Sequence, residues 1–172
     1  MRSESAKLLI EIAHCPNVQE CLESSSDAHP CSRVVLSQGL KPLKEHQIPE
    51  PWSGSITKAP LLFLSSNPSI SETEIYPRWS CPEEKVRDYF EDRFSKSIRD
   101  GRRTLQRDGN YSKAVQFWAE VRGRAAELYE TQKVTLGRDY VLSEVVHCKS
   151  RENEGVELAV KECADRNART GT

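Results

Sequence analysis

The stretch Ala59–Ser71, APLLFLSSNPSIS, decides the fold. Its apolar core, Leu61–Leu64, is a short continuous run closed by the small polar turn Ser65-Ser66-Asn67-Pro68-Ser69. A run of this length bounded by turn formers predicts a parallel strand covered on both faces. In open α/β sheets, ligands bind just beyond the carboxyl ends of such strands. Within the turn, Asn67 alone carries a planar side chain that both donates and accepts. The turn is therefore the candidate floor of a ligand pocket.

Outward from this strand the chain alternates helix and strand signals. Ser5–Ala13 has helical spacing at Leu8, Leu9 and Ile12, with Ser5 as a candidate N-cap. A cysteine-bearing segment with Cys15, Cys21 and Cys31 follows, interrupted by the Ser24–Asp27 loop. Gln38–Thr57 is expected to be an ordered loop anchored by Trp52, because Pro49 and Pro51 exclude a central strand or a helix interior. Beyond the turn, Ile70–Cys81 is a loop carrying Tyr76 and Trp79. Pro82–Ile98 predicts a helix with Val86, Tyr89, Phe90 and Phe94 on one stripe, and Glu83 and Glu84 suit its N-terminus. After the turn Asp108–Asn110, Tyr111–Gln132 is the strongest predicted helix, with Val115, Trp118, Val121, Ala125 and Leu128 inward. Asp139–His147 predicts a second buried strand, and Gly155–Asn167 a last helix with Val156, Ala159, Val160 and Cys163 inward. This order predicts an α/β fold with three layers, α/β/α, around a parallel central sheet. Residues 1–58 form a lead-in packed on an α/β domain over 59–172.

At 172 residues the chain is long enough for one domain with a real core. It has no apolar run of membrane-spanning length and no signal-peptide pattern, so no membrane partner and a cytoplasmic location are expected. A net charge of −1 lends the whole chain no affinity for nucleic acid. Arg99, Arg102, Arg103 and Arg107 form a local cluster that suits phosphates or simply a solvated helix face. Six cysteines are many for a compartment that disfavours structural disulfides, so metal or cluster ligation competes with burial as small hydrophobes.

Three features together resemble the uracil-DNA glycosylase superfamily. They are FLSSNPS at Phe63–Ser69, the pair Phe117-Trp118, and the segment Glu144-Val145-Val146-His147-Cys148-Lys149-Ser150 with Cys163 one helix later. The turn resembles the family's Gly-x-Asn-Pro-Gly motif, with Ser65 and Ser69 in place of both glycines. The later segment resembles the Thr-Asn-Val-Val-Lys-Cys strand of the iron–sulfur branch. The Pro-Glu-Pro-Trp segment before the first strand is similar to that of uncharacterised bacterial glycosylase-like proteins. The resemblance implies hydrolysis of the N-glycosidic bond of uracil or a related damaged base in DNA, with the nucleotide extruded from the stack. Asn67 is then the catalytic residue, orienting water rather than acting as a base, because an amide does not titrate. Ser65, Ser66, Pro68 and Ser69 are the implied base-binding residues, with Tyr76 or Trp79 stacking on the base. Cys15, Cys31, Cys148 and Cys163 are the implied ligands of a [4Fe–4S] cluster, although the family's close N-terminal cysteine pair has no counterpart here. His147 is expected to be a buried, satisfied histidine. Cys81 has no partnered base and is not expected to be a nucleophile. The family's second catalytic segment, which carries a histidine downstream of the cysteine helix, has no match, so an incomplete fold with an exposed sheet edge is expected. Two other readings stay open: a non-catalytic nucleic-acid- or nucleotide-binding relative, and a structural domain in which cysteines bind a metal.

Overall fold

In a computed structural model, residues 4–24, 28–39, 42–131, 133–135 and 137–170 are described. Within them the chain is a small α/β protein with a mixed sheet. Helices α1 (Glu4–Ala13), α2 (Pro16–Ser24) and α3 (Ser32–Leu36) precede strands β1 (Trp52–Ser53) and β2 (Leu61–Ser65). Then come α4 (Glu83–Asp92), a single wide π turn (Arg93–Ser97), and the hairpin β3 (Ile98–Arg99) and β4 (Arg103–Thr104). Helix α5 (Gln116–Leu128), strand β5 (Tyr140–Glu144) and helix α6 (Val156–Thr170) complete the order.

The strand order in the main sheet is β1-β5-β2. β2 and β5 run parallel in a register that pairs Leu61 with Tyr140 and Ser65 with Glu144. β1 is antiparallel to β5, with Trp52 opposite Ser143. The parallel expectation therefore holds for one pair of strands and not for the other. β1 lies inside the segment expected to be a loop. The prolines that argue against a central strand are compatible with this short edge strand. It also means that the lead-in, residues 1–58, supplies a strand to the sheet.

The core strand β5 is buried at all five positions. β2 is not covered on both faces as expected. Leu62 and Leu64 are 48% and 64% exposed, whereas Leu61 and Phe63 pack with Tyr140, Leu142, Val121 and Trp118. Its alternation follows from its place at the sheet edge, where α5 covers only one face. A second apolar cluster joins Leu9 and Ile12 of α1 to Trp52, Tyr76, Val86 and Phe90. A third gathers Val18, Val34, Val35, Val146, Val156 and Ala159 from α2, α3, α6 and the segment after β5. Val160 and Leu128, expected inward, are 38% and 65% exposed.

The predicted helix Pro82–Ile98 ends early. Val86 and Phe90 bury its stripe, but the chain leaves α-helical geometry at Arg93 and Ile98 opens the hairpin. The predicted helix Tyr111–Gln132 starts late, at Gln116, and Gln132 lies outside the described residues. Residues 111–115 are instead extended along the hairpin. Tyr111 bridges Leu105, the Ser112 hydroxyl accepts from the Thr104 amide at 3.0 Å, and the Val115 amide donates to the Arg102 carbonyl. Backbone pairing with the hairpin outcompetes helix propensity over this turn. The expected Ser24–Asp27 loop falls largely outside the described residues.

Candidate functional site

A cleft of about 520 Å³ opens at the carboxyl ends of β2 and β5. One side is the turn Ser65–Ser71. The extension of β5 stitches it in place. The Val145 and Val146 amides donate to the carbonyls of Ser65 and Ser66, both at 2.9 Å, and the Ser150 amide donates to the Pro68 carbonyl at 3.1 Å. The opposite side comes from Thr104, Gln106 and Ser112 around the hairpin and from Phe117 and Trp118 of α5.

Asn67 is 8% exposed on the cleft floor. Its Nδ2 donates to Ser150 Oγ at 2.7 Å and to the Pro68 carbonyl at 3.2 Å. Its buried Oδ1 has no hydrogen-bond partner. Leaving a buried acceptor unmade costs about 1–3 kcal/mol, so such an atom favours a donor from water or a ligand. Ser65, Ser66, Pro68 and Ser69 all line the cleft.

The expected stacking residues lie elsewhere. Tyr76 is 6% exposed, donates to the Ile48 carbonyl at 3.2 Å and packs edge-on against Tyr89 and Phe90. Trp79 is half-buried, packs edge-on against the His14 ring at 5.1 Å, and lies outside the cleft lining. The aromatic rings that do line the cleft are Phe117 and Trp118, of which the helical pattern placed Trp118 inward.

The cleft lining also includes a buried charged group that the sequence did not announce, Glu50, Glu74, Arg93 and Lys149. Arg93, 2% exposed, forks between Glu50 and Glu74, reaching Glu74 Oε1 at 3.1 Å and Ser53 Oγ at 3.0 Å. Lys149, also 2% exposed, sits 3.5 Å from Glu50 Oε2 and 3.9 Å from the Tyr76 ring centre. Tyr76, Tyr89 and Trp118 all face the Arg93 guanidinium at 5.5–5.6 Å. Burial pushes the Glu50 carboxyl up, but Arg93 and Lys149 overcome it and hold Glu50 below its ordinary range. Burial pulls Lys149 down despite Glu50 and Glu74. His147 Nδ1 donates to the Glu50 carbonyl at 2.8 Å, and burial lowers its pKa. That is the structural role expected of it.

Glu144 is the residue sequence reasoning missed. It ends β5 opposite Ser65 and lines the cleft at 8% exposure. Burial, helped by the charge of Glu50, pushes its carboxyl up to about 8, against hydrogen bonding from Ser65 and the cations Lys149 and Arg93. Its buried Oε2 has no partner. A charged residue type at a strand end reads as a solvated terminus, so only its alternation with Leu142 hinted at burial.

The arginine cluster lies on the β3–β4 hairpin rather than on a helix face. Arg99 and Arg103 flank Asp100, with Arg103 at 3.0 Å, and Arg99 covers the Tyr111 ring.

Five cysteines meet in one place. Cys21, Cys31 and Cys148 are buried in the third cluster, with Cys15 and Cys163 packed against them. All six thiols are free, and Cys81 belongs to a different cluster. The Cys31 thiol hydrogen-bonds to Cys163, which raises Cys31 and lowers Cys163, while burial raises Cys15 and Cys148. Among the described residues no group of three or more His, Cys, Asp or Glu side chains is arranged to hold a metal ion. No helix of the described residues is long and apolar enough to cross a membrane.

No family model, no curated protein and no solved structure matches the chain.

Proposed function

We propose that the cleft receives a nucleobase extruded from DNA, and that the protein hydrolyses the N-glycosidic bond of uracil or a related damaged base. The observation that carries this reading is Asn67, with its nitrogen fixed by Ser150 and its Oδ1 unpartnered on the cleft floor. In the reaction the C1′–N bond breaks, a water oxygen bonds C1′, and the water proton is delivered to the departing base. Asn67 orients and hydrogen-bonds; it does not take the proton. Phe117 and Trp118 replace Tyr76 and Trp79 as the stacking surface. The finer architecture that fits this reading is three layers, supported by α5 packing on Leu61 and Phe63 and by α1 and α4 packing beside Trp52.

Incubation with single- and double-stranded DNA containing uracil, followed by alkaline cleavage, tests the proposal. Strand breaks at uracil are expected, with loss of about 10²-fold or more in rate for Asn67→Ala, the scale of removing one positioned hydrogen-bonding group. No cleavage, or cleavage untouched by Asn67→Ala, overturns it. A second reading is favoured by the charge pairing in the cleft lining. Glu50, Glu74, Arg93 and Lys149 are committed to one another. In that reading the chain binds nucleic acid or a nucleotide without catalysis, and DNA is retained without base release.

For the cysteines we propose that Cys15, Cys31, Cys148 and Cys163 close around a [4Fe–4S] cluster when iron and sulfide are supplied. Support comes from four separate segments delivering thiols to one apolar site. The competing reading is a small-hydrophobe core.

A further inference from the structure

The residues lining the cleft include two with unsatisfied oxygens, Asn67 just beyond β2 and Glu144 at the end of β5, and their chemistries differ. Asn67 Oδ1 is an acceptor only. Glu144 Oε2 is an acceptor when ionised and a donor when protonated. The register that pairs Glu144 with Ser65 places its side chain at the same strand ends as the Ser65–Ser69 turn. The titratable and charged groups around it are Glu50 before β1, Arg93 in the π turn and Lys149 after β5, with Lys113 on the cleft wall. Both nearby cations are already engaged by Glu50, and Arg93 by Glu74 as well. Neither forms an ion pair with Glu144 among the described residues. A buried carboxyl without an ion pair is held in its neutral form.

We propose that Glu144 determines base specificity, donating its carboxyl proton from Oε2 to a ring carbonyl while Asn67 Oδ1 accepts the neighbouring ring N–H. The pair is complementary to a lactam edge, C=O beside N–H, as in uracil and hypoxanthine. Their amino-bearing counterparts, cytosine and adenine, set a ring nitrogen acceptor beside an NH₂ donor. That edge faces Asn67 Oδ1 with an acceptor and the carboxyl O–H with a donor, so both contacts turn repulsive. Leaving buried polar groups unpaired in this way is the strong form of discrimination. The assignment rests on the proposal that the cleft takes a base, and it names the chemical class of that base. Ionisation of Glu144 removes the donor and sets a negative charge against the ring carbonyl.

The test is binding of free uracil and free cytosine to the full chain, followed by NMR between pH 6 and pH 9, in wild type and Glu144→Gln. Expected is a uracil preference at pH 6 that falls about tenfold by pH 9, as a carboxyl titrating near 8 loses its proton. Glu144→Gln, whose amide N–H donates at every pH, keeps its uracil affinity over the same range. A fall shared by both proteins belongs to the ligand and overturns the role given to Glu144. So does equal binding of the two bases, a preference for cytosine at pH 6, or no binding of either. In wild type alone, uracil is expected to raise the midpoint of the Glu144 carboxyl ¹³C titration, since the ligand selects the protonated form; an unmoved or lowered midpoint refutes the proposal even if Glu144→Gln does not fold. Uracil binding without base release from DNA sinks the hydrolase reading and leaves this one standing. Base release that ignores Glu144 does the reverse.

Discussion

Replacing Arg93 by Met asks how far one guanidinium supports the cleft floor. Arg93 and Lys149 offset Glu50 and Glu74, so the buried group is neutral as a whole. Met keeps much of the apolar volume between Tyr76, Tyr89 and Trp118 but leaves two carboxylates sharing Lys149. Removing one partner from a buried pair costs about 3–5 kcal/mol, mostly the penalty of the charge left behind. A domain of this size holds only about 5–15 kcal/mol in total. Urea denaturation at pH 7 should show an unfolding free energy lowered by that amount, read as an earlier midpoint with an unchanged slope. The double variant Arg93→Met/Glu74→Gln should recover part of the loss, because Glu50 keeps Lys149 and the neutral amide at position 74 no longer needs a cation. Acid should narrow the gap between wild type and Arg93→Met. In wild type the Glu50 pairing stabilises above the ordinary carboxyl range and is lost as pH falls through its lowered value. A single variant within about 1 kcal/mol of wild type, or a double variant no better than the single, would refute the reasoning.

Glu144→Gln should be more stable than wild type at neutral pH. The wild-type carboxyl stays protonated in the folded chain to about 8 but ionises near 4.5 when unfolded, so stability drains away as pH rises between these values. At about 1.36 kcal/mol per pH unit the gap reaches a ceiling of roughly 3 kcal/mol at pH 7, readable from melts at pH 5, 6 and 7; a gap that does not widen with pH counts against the buried acid. Gly155→Ala should destabilise by more than about 1 kcal/mol in the same melts. The added Cβ meets the Val34 amide nitrogen at 2.6 Å in a backbone at φ +73°, and an unchanged melting temperature would contradict this packing. Reconstitution with ferrous iron and sulfide should give a broad absorption near ~400 nm that Cys148→Ser removes; a colourless wild type with the melting temperature unchanged would leave the thiols as packing groups.

Much of the scaffold was legible because its signals are local. The run Leu61–Leu64 and the turn after it gave β2 and the floor, and Val141–Leu142 gave β5. The hairpin was not legible, since Phe94 and Ile98 extend the helical stripe of Val86 and Phe90 and no local signal breaks it. What breaks it is long-range: Arg93 finds Glu50 and Glu74 far away in the chain. β1 was hidden for a related reason, because two residues between Pro51 and Gly54 have no period and need β5 to define them. Tyr76 and Trp79 sat at the right distance after the turn, yet sequence distance says nothing about facing, and Phe117 and Trp118 occupy the wall. Glu144 shows the same limit for charge. Its meaning comes from what surrounds it.

The strand order has a further consequence at β2. Its outer edge has no strand partner among the described residues, and Leu62 and Leu64 stand proud beside it. Such an edge is a template for another chain's backbone, and two exposed leucines make the encounter sticky. Concentration, then, is a variable in handling this protein: scattering that grows with it should start here, and a charge at position 64 should quiet it while leaving the cleft untouched.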